Sequence, residues 1–126
     1  MKGDFMPKSL AGLLLVFIFA AAFVNFHPLG RYYLDEPYQR GTFGQAFVTV
    51  QNPTSSEIED VSVKLIIYDL GIQYTSIPFD VPKRDSRLSM IHMPISRNIP
   101  PGTYISKLTV SNDEFRDSKH IEITIV

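Results

Sequence analysis

Pro100-Pro101-Gly102-Thr103-Tyr104-Ile105-Ser106-Lys107-Leu108-Thr109-Val110-Ser111-Asn112-Asp113 reads as one strand held between two chain breakers. Two prolines and a glycine open it. Tyr104, Ser106, Leu108 and Val110 fall on one face, because successive strand side chains point to opposite sides. Asn112-Asp113 then turns the chain, as residues whose side chains bond their own backbone do. A tyrosine just after Pro-Gly at the start of a penultimate strand is where β-sandwiches place the tyrosine corner: the hydroxyl bonds back to upstream backbone and the ring plugs the end of the core. Tyr104 is therefore the predicted fold determinant.

Working outward, the same alternation recurs with a breaker every ten residues or so. Ala46, Val48 and Val50 alternate with Phe47, Thr49 and Gln51 until Asn52-Pro53, where proline cannot donate to a ladder. Val61, Val63, Leu65 and Ile67 alternate with Ser62, Lys64, Ile66 and Tyr68 before the turn Asp69-Leu70-Gly71. Gln73 to Val81 is predicted as a third strand, Arg87 to Met93 as a fourth, Thr103 to Ser111 as a fifth and Ser118 to Val126 as the last, with Arg31 to Leu34 available as a further one. The predicted fold class is all-β: an immunoglobulin-like antiparallel β-sandwich of about seven strands over residues 43–126, preceded by a linker at 27–42 and one N-terminal hydrophobic helix.

Composition bounds the function. The chain has 126 residues with 12 basic and 13 acidic side chains, a net charge of -1 and no cysteine. One domain is the ceiling, and so balanced a chain has no electrostatic reason to seek nucleic acid, since phosphate binding needs a concentrated basic surface. Thiol nucleophiles, thiolate metal sites and disulfides are excluded outright.

From Leu10 to Phe26 the sequence is apolar except for Gly12 and Asn25. At about 1.5 Å per residue this run reaches roughly 25 Å as a helix, the lower edge of a bilayer core. Lys2 and Lys8 precede it, and Arg31, Asp35 and Glu36 follow, so the positive-inside bias sends the body across. A single-pass anchor at 1–26 with an exocytoplasmic C-terminal domain is expected. Cleavage after Ala22, with Ala20 at the required offset, is the alternative and would release a secreted protein. Lys2-Gly3 before the apolar run also looks like the processing site of archaeal type IV pilins, which would make a filament subunit.

The stretches Val48 to Asn52, Glu59-Asp60-Val61, Ile67-Tyr68-Asp69-Leu70-Gly71-Ile72, Pro101-Gly102-Thr103-Tyr104, Val110-Ser111-Asn112-Asp113 and Lys119-His120 together resemble the CARDB-type immunoglobulin-like modules of archaeal cell-surface proteins, S-layer components of small-genome DPANN-type lineages among them. The resemblance covers Phe43 to Val126. It implies a secreted, non-enzymatic surface module of a kind often repeated in longer chains; here one copy follows one hydrophobic segment.

No catalytic, cofactor or metal residues are assigned. The histidines are His27, His92 and His120, and no serine has an activating context such as Gly-x-Ser-x-Gly. Met90, His92 and Met93 suit copper by ligand type, which gives a copper-handling reading, but alternation puts His92 and Met93 on opposite faces. Asp113, Glu114 and Asp117, or Glu57, Glu59 and Asp60, could hold calcium; they are read as solvated turn residues.

The predicted partners are the membrane, through Leu10 to Phe26, and a cell-surface protein or a second copy. With Val61, Val63, Leu65 and Ile67 inward, Ile66 and Tyr68 must face outward, and with Tyr104 and Leu108 inward so must Ile105. These strands pair antiparallel in an immunoglobulin-like order, which makes Ile66, Tyr68 and Ile105 the interface candidates. The competing expectation is that residues 25–40 fold back over them.

Overall fold

The computed structural model describes residues 26–126. The predicted hydrophobic helix, and with it the anchor or signal segment, lies outside the described residues but for Phe26. Among the described residues no helix is long and apolar enough to cross a membrane.

The chain forms β1 (Leu29–Leu34), β2 (Phe43–Gln51), β3 (Ile58–Ile67), a 3-10 turn (Tyr68–Leu70), β4 (Ile72–Thr75), β5 (Phe79–Val81), β6 (Ser86–Pro94), β7 (Gly102–Ser111) and β8 (Arg116–Ile125). One sheet has the order β1-β2-β6. The other has the order β4-β3-β7-β8, with β5 also paired to β3. All these pairings are antiparallel. The predicted antiparallel sandwich is the observed architecture.

Alternation builds the core. Ala46, Val48 and Val50 of β2, Ile91 and Met93 of β6, and Val61, Val63, Leu65 and Ile67 of β3 are all fully buried, with Leu108 and Val110 of β7 and Ile123 of β8 between them. Gly71 ends the 3-10 turn at φ 62, the left-handed conformation that glycine adopts without steric cost.

Two predictions are corrected. Residues 27–42 are no free linker: β1 pairs with β2, and Tyr38 bridges to Ile125 with its ring buried in the core. Its N–H bonds Thr124 O, and Val126 N–H bonds Tyr38 O, so residues 36–40 cover the outer edge of β8. The single strand predicted from Gln73 to Val81 is two, β4 and β5, interrupted at Ser76-Ile77-Pro78. Pro78 has no N–H for a ladder, and β3 carries a register shift between Ile58 and Val61, with Asp60 at φ 54. Ser76 spans the interruption: its Oγ accepts Val63 N–H and its own N–H bonds Val63 O.

Candidate interaction surfaces

The core is closed by tyrosines whose hydroxyls donate to backbone carbonyls. Tyr104 is half-buried against the core and bonds Pro100 O, four residues upstream. Tyr74 on β4 bonds Pro94 O at 2.9 Å, joining the two sheets. Tyr38 bonds Gln45 O at 2.7 Å, and its ring lies where a Cβ at Gly44 would stand, 2.5 Å away, so only glycine leaves it room. Burial pushes the Tyr38 hydroxyl up from 10.0 to about 12, and raises Tyr74 as well.

On the outer face of the larger sheet, β3 and β7 pair with Ile66 opposite Lys107 and Ile67 opposite Ser106. One step on, at the 3-10 turn, Tyr68 reaches the level of Ile105. Tyr68 is 52% and Ile105 60% exposed, whereas Ile66 is half-buried between Gln73 of β4 and Lys107. Residues 26–40 do not cover this corner, because they follow β2 and the far edge of β8.

A second apolar surface was not among the predicted site residues. Tyr33, Phe47 and Met90 form one row across the outer face of the three-stranded sheet, paired Tyr33 to Phe47 and Phe47 to Met90, with Leu88 in the next row opposite Thr49. Tyr33 and Phe47 rings stand 6.4 Å apart. Tyr33 is 62% and Leu88 69% exposed. The signal was present as apolar residues at both parities, Phe47 between Ala46 and Val48, and Leu88 and Met90 beside Ile91. Alternation alone reads such residues as isolated; only the pairing aligns them.

The ligand sets are dispersed. Met93 is fully buried while Met90 and His92 face outward, so the three cannot share one metal. His92 and His120 lie on different sheets, and His27 stands 3.9 Å from Asp117. Glu57, Glu59 and Asp60 do meet Asp113 and Glu114 across a cleft of about 580 Å³ at the loop end, which Phe26 and Phe115 also line with rings 5.1 Å apart. Asp117 is drawn elsewhere, accepting Leu29 N–H at 3.0 Å. Among the described residues no three His, Asp or Glu are grouped closely enough to hold a metal ion.

Neither any family model nor any curated protein matches the chain. Solved structures do. A CARDB domain from Pyrococcus furiosus, solved in complex with di-metal ions, superposes with a TM-score of 0.58 at 12% identity over 75% of this chain and 84% of that one. Part of an alkylpurine DNA glycosylase from Pseudomonas fluorescens, bound to DNA, superposes with a TM-score of 0.57 at 11% identity over 77% of this chain and 29% of that one. At such identities the likeness concerns the fold, and the chain has a CARDB-like β-sandwich fold.

Proposed function

We propose that this protein is a cell-surface module, tethered through Leu10 to Phe26 with the sandwich outside the cell, that works by protein contact and carries out no reaction of its own. The observation that supports the reading is the junction. His27 and Pro28 alone separate the apolar run from β1, and the chain is held at Pro28 and Leu29: Gln51 N–H bonds Pro28 O at 2.8 Å and Leu29 N–H bonds Asp117. A run long enough for a bilayer would join such a body through two residues, with the loop end toward the membrane. The CARDB-like fold is the fold that the sequence resemblance implies. Ile66, Tyr68 and Ile105 are one contact candidate of such a module.

The test is topological. Alkaline carbonate is expected to leave the protein in the membrane pellet, and protease added from outside to digest the sandwich. Insertion contributes up to about 0.6 kcal/mol for each Leu, Ile, Phe or Val, so partial release is not expected, and recovery in the soluble wash would overturn the tether. Changing Ile66, Tyr68 and Ile105 together to Thr or Ser is expected to leave a folded protein that loses partner capture at the surface.

A further inference from the structure

We infer that the outer face of β1-β2-β6 is a homotypic interface that joins two copies of this chain about a two-fold axis parallel to the strands. The outward positions of β2, odd numbers from Phe43 to Gln51, and of β6, even numbers from Ser86 to Pro94, hold no aspartate, glutamate, lysine or arginine. The opposite face of the sandwich carries Lys64, Lys107 and Glu122 at its outward positions. With Arg31 on the edge strand β1 as its one charged side chain, the face gives a charged partner little to pair with, and gives an anionic lipid surface a single cation where such binding uses several. Apposed to itself, it sets no like charges together.

The register decides how the copies meet. A two-fold axis along β2 places β2 over β2 of the second copy and β1 over its β6. Tyr33, Phe47 and Met90 stand at one level. Phe47 then meets its own counterpart, while each Tyr33 ring meets a Met90 thioether, a favourable sulfur–aromatic contact. Arg31, the one charged residue of β1, comes against the uncharged β6 rather than against its twin. The sheets would lie about 10 Å apart, as in a sandwich core.

This axis also leaves Phe26 of both copies at the same end. Two chains tethered in one membrane therefore keep their anchors on one side, which an antiparallel face-to-face pair would not allow; this part of the inference rests on the proposed tether.

The absence of cysteine makes the test direct. In the full chain in its membranes, Thr49→Cys introduces a single thiol beside the axis and Ile105→Cys a single thiol on the other face. A bis-maleimide whose spacer spans about 10 Å, the distance between the apposed sheets, is expected to cross-link Thr49→Cys to itself and to leave Ile105→Cys monomeric. Adding Met90→Glu to Thr49→Cys is expected to reduce the cross-linked fraction at least tenfold; Met90 is exposed, and an unchanged melting temperature of the double variant shows that the fold survives. No Thr49→Cys cross-link with a monomer in sedimentation, a cross-link only through Ile105→Cys, or a cross-link indifferent to Met90→Glu would each overturn the interface and leave the face to another protein or to lipid. The same membranes washed with carbonate report on the tether separately, since a released but cross-linked protein defeats the tether alone.

Discussion

Asn52 shows how much one side chain holds. It is 1% exposed; its Nδ2 lies within bonding distance of the carbonyls of Ser56, Val81 and Pro82, and its Oδ1 accepts from both Thr54 N–H and Thr54 Oγ1. It fastens the loop after β2 to the loop before β6. Asn52→Ala would leave those buried groups without partners and is expected to cost about 2 to 4 kcal/mol in a urea melt. Asn112 plays a similar role at the exposed 112–115 turn, and Asn112→Ala is expected to cost less than about 1 kcal/mol. Tyr104→Phe removes only the bond to Pro100 O, about 0.5 to 1.5 kcal/mol, whereas Tyr104→Ala also opens a cavity and is expected to cost about 3 to 5 kcal/mol. Equal and negligible losses would show that the ring closes nothing. Tyr38 adds a pH dependence. Its folded pKa of about 12 lies above the ordinary 10.0, so the folded chain keeps a proton that the unfolded chain releases. Stability is whole below pH 10 and falls as pH rises toward 12. Melting temperatures across that window should drop less steeply in Tyr38→Phe than in the wild type.

At the scale of elements, pairing separates strands that look alike in sequence. β3 is bonded on both sides, by β7 along one edge and by β4 and β5 along the other, and β2 lies between β1 and β6. β5 spans three residues, and β1 carries a bulge between Leu29 and Tyr32. Hydrogen exchange of the intact chain is expected to be slowest at the buried β3 positions Val63 to Ile67 and fastest at Phe79 to Val81. Equal protection of β5 would mean that the interruption at Ser76 to Pro78 does not divide the strand. Sequence spacing placed β2, β3, β6, β7 and β8 well because period-two alternation is a local property. It did not separate β4 from β5, because Tyr74 and Val81 point inward at both ends of a stretch whose break depends on how β3 bulges opposite it.

At the scale of the molecule, the two apolar surfaces differ in their setting. Ile66, Tyr68 and Ile105 sit among lysines and a glutamate on the larger sheet, while Tyr33, Phe47, Leu88 and Met90 share a face whose one charged strand residue is Arg31. Strand assembly decides this, since residues 33, 47 and 90 have no sequence relation to one another. The acidic groups Glu57 to Asp60 and Asp113 to Glu114 were legible as turns, but their meeting in one cleft depends on which loops share an end.

By itself the sequence determined the side of the sheet each strand residue faces, where strands stop, and that the core is filled by Val, Leu, Ile and Met without cysteine, because alternation and proline act within a few residues. The pairing of β3 with β7 followed from the expected immunoglobulin-like order, but the neighbours of the other strands, that Tyr38 leaves a seeming linker to seal the core over Gly44, and that three distant residues form one uncharged row were decided only by the tertiary structure. Each of these is a contact between distant parts of the chain, made when burial of the common core repays the cost of closing the loop between them.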